Sequence, residues 1–446
     1  HLGREDRLSA FAFLHEARRR APLPPEDERL WADLRPAAEA DPGLAGYLAT
    51  VGPGRELPRR PPRRVLLVTN LFPPEEMGGY GRKLWEFARA LSRRGYPLRV
   101  LTGSAPYLRQ PGDEDLEPIV SRALRPFAEW RDGGSRPMDD PDAIGAAMLR
   151  NEQAVLDAVR AFEPEVVLAG NLDFLGTGFL AALYARGLPV LHAIGLRAFA
   201  YRPGDLPVHP RLYRAAPASD WLGRMAVADG FPFERWSVLH PGVRTDRFHR
   251  LVPPEAGPLR IAYAGLVMPF KGVHTLLDAL GRLHDRGMDF RCAIAGDAPD
   301  AEYNALLADF VRCKGMADKV RFTGFMDRAG LERLFDTHDV FVFPSVIEEA
   351  FGMSQVEAMA AGLACVTTAT GGGREIVADG ETALLFEPGD AETLAVILAR
   401  LHGDPDLRQR LSRAGRTRAL DFSVERAADA LESLIDEMAR IGAAER

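Results

Sequence analysis

The sequence predicts an α/β fold of two doubly wound parallel-sheet domains preceded by a helical extension. Three observations predict it. Short uninterrupted apolar runs of strand length recur along the chain, as expected for strands buried on both faces. Segments with helical apolar spacing alternate with them, which is the β-loop-α-β unit of a parallel sheet. The alternation also runs twice, restarting after the proline-containing stretch Leu251-Val252-Pro253-Pro254-Glu255-Ala256-Gly257-Pro258.

Length and composition agree. A chain of 446 residues favours two or three domains over one. Hydrophobic residues make up 46% and charged residues 27%, ordinary for a water-exposed globular fold, and no apolar run is long enough to span a bilayer. The net charge of −7 argues against a general nucleic-acid binder. Three widely spaced cysteines, Cys292, Cys313 and Cys365, form no CxxC pair and read as small hydrophobes in a reducing compartment. The chain opens on His1 without an apolar leader, so it reads as a processed, tagged or excised form with a cytoplasmic location.

Residues 1–62 read as two or three short helices, with examples at 8–15 and 28–34, and a linker rich in proline and arginine. The linker arginines leave a peripheral membrane contact open. The first domain, 63–252, begins with a strand at 64–70. A loop with prolines and glycines follows at 72–81, then a helix carrying Leu84, Phe87, Ala88 and Leu91, then a strand at 97–102. Further strands are expected at 165–169 and 188–192, the former preceded by a helix bearing Val155 and Val159. Two more are placed near 224–227, which also reads as helix, and 236–239. The second domain, 253–422, has strands at 260–265, 290–296, 320–324, 340–344, 364–368 and 383–386. Its helices lie at 272–284, 301–314, 328–338 and 352–362. Residues 423–446 carry an amphipathic helix that returns toward the first domain.

Ligands in open α/β sheets bind beyond the carboxyl ends of the strands, so the residues after each strand matter most. Lys271-Gly272 opens a helix, where backbone N–H groups and the dipole already favour an anion. Alone, such a pair is usually a solvated surface lysine. Glu349 and Glu357 flank the start of another helix; eight helical residues rise about 12 Å, a span suited to two carboxylates gripping hydroxyls at opposite ends of one extended ligand. Between them the N–H groups of Gly352, Met353 and Ser354 open that helix toward a phosphate. A capped helix with solvated glutamates is the bland alternative. Gly78-Gly79-Tyr80-Gly81 permits close backbone approach but lacks the spacing of a dinucleotide fingerprint. His192, with Asn171 and Asp173 nearby, is either a ligand contact or a structural histidine.

The run Glu349-Ala350-Phe351-Gly352, continued by Glu357-Ala358-Met359-Ala360-Ala361-Gly362 and preceded by Val340-Phe341-Val342-Phe343-Pro344-Ser345, resembles the Glu-x7-Glu signature of glycosyltransferase family 4. Met77-Gly78-Gly79, His240-Pro241-Gly242-Val243, Lys271-Gly272, Ile294-Ala295-Gly296-Asp297, Phe322-Thr323-Gly324 and Gly371-Gly372-Gly373-Arg374-Glu375-Ile376 follow in the family's order. The resemblance covers residues 64 to 440, and the ordered set is specific where no single member is.

The resemblance implies the GT-B fold, two Rossmann-like domains facing across a cleft. It implies transfer of a hexosyl group from a nucleotide-diphosphate sugar, UDP- or GDP-linked, with retention of configuration and no cofactor. By position, Lys271 would bind the diphosphate, Glu357 the ribose and Glu349 the donor sugar. Met353 and Ser354 would meet diphosphate or sugar, Phe325 would line the base pocket, and Gly78 and Gly79 would face the donor or acceptor. His192 falls where the family often has a functional histidine. The acceptor is a glycan, lipid or small molecule. One departure stands out: Leu266 occupies a position where members often carry arginine, so either another cation replaces it or the leaving group is less stabilised. No HExxH and no Cys/His cluster at ligand spacing suggests a metal, and the acidic Asp139-Asp140-Pro141-Asp142 reads as a solvated turn. Two alternatives remain: a GT-B epimerase acting without acceptor, and a degenerate homologue that binds a nucleotide sugar without transferring it.

Overall fold

The computed structural model describes residues 10–11, 14–15, 29–35, 62–75, 81–108, 116–131, 134–248 and 257–446. Gly78 and Gly79 lie outside the described residues, as do most of residues 1–62 and of the stretch between the two domains.

The first sheet has six strands: β1 (Val65–Val68), β2 (Leu98–Gly103), β3 (Val120–Leu124), β6 (Val166–Ala169), β7 (Val190–Ile194) and β8 (Tyr213–Pro217). Their order is β3-β2-β1-β6-β7-β8, with every pairing parallel. A short antiparallel hairpin, β4 (Ala128–Arg131) with β5 (Gly134–Pro137), stands apart. The second sheet comprises β9 (Leu259–Ala264), β10 (Phe290–Ala295), β11 (Val320–Gly324), β12 (Val340–Phe343), β13 (Ala364–Thr367) and β14 (Ala383–Leu385). It runs β11-β10-β9-β12-β13-β14, again all parallel.

Alternate residues of the buried strands feed opposite layers. Val65 and Leu67 pack with Leu84, Phe87 and Leu91 of α1 (Arg82–Arg93), while Leu66 and Val68 pack with Val155 and Val159 of α2 (Pro141–Phe162) and with Leu180 and Leu183 of α3 (Phe179–Tyr184). In the second sheet, Ile261 and Tyr263 face α5 (Val273–Asp285) and α9 (Ala391–Gly403). Ala262 and Ala264 face α7 (Arg328–Asp336) and α8 (Met353–Ala361). Helix α6 (Ala301–Cys313) completes one outer layer, and α10 (Pro405–Ala419) covers α8 and β13. The last helix, α11 (Val424–Glu445), lies against α1, β6 and β7, burying Leu431, Ile435 and Met438 on the first sheet.

Of the two readings of Arg224–Val227 the helical one holds: the segment is part of α4 (Asp220–Ala228), not a strand, and α4 starts where the Ser219 hydroxyl accepts the Leu222 N–H at 3.1 Å. Trp236–Leu239 forms no strand either. It runs alongside β8 with only an isolated bridge from Ala215 to Trp236, held by Ser237 and Leu239 N–H groups donating to Ala215 and Pro217.

Candidate functional site

The strand order of the second sheet reverses between β9 and β12, which opens a crevice beyond their carboxyl ends. The loop after β9 carries Lys271, and the loop after β12 carries Glu349. Gly272 brings the two loops together. Its φ is +70°, and a Cβ there would stand 1.9 Å from the Pro344 carbonyl oxygen, so only glycine fits.

Lys271 and Glu349 consequently meet, with Nζ 2.6 Å from Oε1. The Ser345 hydroxyl donates to the same carboxylate oxygen at 2.5 Å. Both charged side chains are largely covered, and the ammonium sits 5.7 Å from the Phe270 ring centroid and 6.0 Å from that of Phe343. The Tyr263 hydroxyl lies below, donating to the Leu266 carbonyl at 2.7 Å. Burial, aided by the Glu349 charge, raises its pKa and keeps it a donor.

Helix α8 begins at Gly352, whose φ of +111° is left-handed and which offers no side chain as a cap. The N–H groups of Met353 and Ser354 have no hydrogen-bond partner among the described residues. Most other long helices differ: Asp140, Ser219, Asp300, Asp327, Asp390, Asp404 and Ser423 each cap one with a side-chain oxygen. Glycine caps without side-chain help recur at α1, α5 and α8, the helices that follow β1, β9 and β12. These are the ends that face the carboxyl edges at the strand-order reversals, where an anion is best received.

Glu357 lies one turn into α8, 5% exposed, and accepts from Arg328 Nη1 at 2.5 Å. Phe325, half-exposed, precedes that arginine just after β11. Opposite stands Glu86 on α1. Burial pushes its pKa up, and the charges of Arg328, Arg82, Arg244 and Arg89 pull it back down. Arg328 thus contacts Glu357 in its own domain while its charge is also felt by Glu86 in the other.

Other predicted residues sit elsewhere. His192 is inside β7 at 2% exposure, its Nδ1 2.8 Å from the Tyr213 hydroxyl; burial drops its pKa to about 4, against the pull of a backbone hydrogen bond to Gly170. The structure does not bring it to Lys271 or Glu349. Asn171 and Asp173 shape the loop after β6: Asn171 accepts the Asp173 N–H at 2.7 Å, and Asp173 accepts that of Ala200 at 2.8 Å. Among the described residues no group of His, Cys, Asp and Glu could hold a metal ion, and no helix is long and apolar enough to cross a membrane.

His240, Phe351 and Glu375, legible only as members of motifs, turn out to join the two domains beside this site, together with Ser219 and Trp221. The Ser219 hydroxyl donates to the Ala350 carbonyl at 2.8 Å. Glu375 accepts from the Trp221 and Asp220 N–H groups at 2.7 and 3.0 Å, so a carboxylate of the second domain caps α4 of the first. The His240 ring packs 5.4 Å from Phe351 and 5.2 Å from Phe422. No spacing rule marks these, because each pair is more than a hundred residues apart in the chain.

The profile of the family described as Glycosyl transferases group 1 matches residues 246–418, which hold Lys271, Glu349, Glu357 and Glu375. The chain is 31% identical over 374 residues to the phosphatidyl-myo-inositol mannosyltransferase of Mycobacterium leprae, covering 78% of this chain and 90% of that protein. It is 32% identical over 393 residues to the MMP alpha-(1->4)-mannosyltransferase of Mycolicibacterium hassiacum, covering 77% and 90%. Among solved structures, HepE of Anabaena in complex with UDP and glucose superposes with a TM-score of 0.65 at 19% identity, covering 84% of this chain and 99% of that one. That likeness carries the fold, the two-domain GT-B arrangement.

Proposed function

The chain belongs to the group 1 glycosyl transferases, and on that premise we propose that it is a family 4 enzyme moving a hexosyl group, with retention, from a nucleotide-diphosphate sugar. The observation that carries this reading is the Lys271–Glu349 pair, 2.6 Å apart, beside the uncapped start of α8. A diphosphate at that helix start would accept from the Met353 and Ser354 N–H groups and draw the Lys271 ammonium. Glu349, an acceptor-only group, would then be left to hold hydroxyls of the transferred sugar. Glu357, held by Arg328, would take the ribose, and Phe325 the base.

In this mechanism the leaving diphosphate is stabilised by fixed dipoles and an ammonium, with no metal needed. The same phosphate takes the acceptor proton as the new glycosidic bond forms on the face it leaves. Closure of the two domains keeps water from competing with the acceptor. His192, buried in β7 with its ring hydrogen-bonded to Tyr213 and to the Gly170 backbone, is given no contact with the donor in this reading.

Solved and curated relatives support a sugar-nucleotide donor: HepE binds UDP and glucose, and the two mycobacterial relatives are mannosyltransferases. The test is a thermal-shift screen of UDP, GDP, ADP and their sugars, followed by transfer assays with the stabilising donor. One nucleotide-sugar series should raise the melting temperature. No shift with any of them overturns the proposal, and isomerised donor in the absence of acceptor would point to an epimerase instead.

A further inference from the structure

The first domain carries a charge it does not balance. Lys83, on α1, is 6% exposed. Its ammonium lies 5.6 Å from the Phe87 ring centroid and makes one long hydrogen bond, 3.4 Å to the Ile194 carbonyl. No carboxylate pairs with it among the described residues. The titratable groups it faces are His192 on β7 and His240 beyond β8, and its charge works against protonation of both. Burial lowers its own pKa to about 7. A buried ammonium with donors to spare destabilises a fold, and such groups concentrate where a counter-charge arrives with a ligand.

Its position fits that role. Ile194 ends β7, so the ammonium stands at the carboxyl edge of the first sheet. The next residue, Gly195, borders open space among the described residues, since a Cβ built there meets none of them within 4 Å. The His240 ring that feels the Lys83 charge packs on Phe351, the residue immediately before Gly352 and the start of α8. On the donor side, meanwhile, Leu266 contributes only a carbonyl, to Tyr263.

We propose that Lys83 is the second cation of the diphosphate site, reaching the phosphate oxygens from the first domain in place of a cation at Leu266. The assignment rests on the nucleotide-sugar reading above. It involves no covalent step: a phosphate oxygen accepts a hydrogen bond from Nζ, and a lysine neutral before binding takes one proton from solvent. The two domains then grip one diphosphate from opposite sides, Lys271 from one and Lys83 from the other.

The test is isothermal titration of wild type and Lys83→Met with UDP, GDP and ADP, and with the matching nucleoside monophosphates, at pH 8 in Tris and in HEPES. Wild type should bind one diphosphate with net proton uptake, seen as a buffer-dependent heat. Lys83→Met should weaken that diphosphate by about tenfold or more and the monophosphate by less than about twofold, and should abolish the uptake. Equal affinities in both proteins, an equal loss for mono- and diphosphate, or a change confined to the acceptor KM would each overturn the assignment. Should the variant fold poorly, the uptake by wild type decides alone: binding without it overturns the proposal. If wild type binds none of the three diphosphates, the donor reading itself falls, a result distinct from any loss in the variant.

Discussion

Arg328 donates to Glu357 at 2.5 Å from the first residue of α7, so the carboxylate proposed to take a ribose is held by a guanidinium from the neighbouring helix. Removing either partner leaves the other with an unmatched charge, severely so for Glu357 because it is the more enclosed. Arg328→Met and Glu357→Gln should each destabilise the protein by about 1–3 kcal/mol, with the double variant losing less than the sum. Denaturant unfolding of the four proteins measures the cycle; strict additivity would show the pair is uncoupled.

The Lys271–Glu349 pair is predicted to matter for rate far more than for folding. Lys271→Ala and Glu349→Ala should each lower transfer by on the order of 100-fold or more, as loss of preorganised electrostatics does. Steady-state kinetics with the donor found by thermal shift checks this. Near-normal turnover in both variants would remove them from the chemistry.

Gly272→Ala tests the junction of the two loops. The added methyl would meet the Pro344 carbonyl and take up a left-handed φ that alanine resists. A loss of about 2 kcal/mol or more is expected, seen as a melting temperature lower by roughly 4 °C or more.

The Glu375 cap predicts a role in domain seating. Glu375→Gln keeps the shape but removes the charge at the α4 N-terminus. It should cost roughly 1 kcal/mol of stability and raise the donor KM more than it lowers kcat. A variant identical to wild type in both readouts would show the contact to be idle.

Stability should also depend on pH through Lys83. Its folded pKa of about 7 lies below the 10.5 of an unperturbed lysine, so between those values the unfolded chain binds more protons than the folded one. Raising the pH through that window therefore stabilises wild type relative to Lys83→Met, and below about pH 7 the deficit is full and constant. The melting temperature of Lys83→Met should exceed that of wild type by about 3 °C or more at pH 7, with the gap closing toward pH 10.

The sequence was most legible where strands are buried on both faces. β1, β9 and β12 read as apolar runs, and the last two lead into the loops that carry Lys271 and Glu349. Two strands of the first sheet were not: β8, interrupted by Arg214 and Pro217, and β3, which exposes alternate residues, lack a continuous apolar run. The charged helix α10 also escaped notice, its Leu407, Leu411, Gly415 and Ala419 stripe diluted by arginines. Within the site, Lys271, Glu349 and Glu357 follow their strands and helix locally. Arg328, Lys83 and Glu375 gain meaning only from partners that the fold delivers from far along the chain, and His192 looked like a strand-end group until its neighbours were known.

Helix α11 has a consequence for biosynthesis. The face of the first sheet that carries α1 is covered by residues 424–445, and Arg446 donates to the Gly187 carbonyl beside it. A ribosome therefore makes the first sheet with an oily side still bare, and only after the whole second domain has emerged can residues 424–445 shield it.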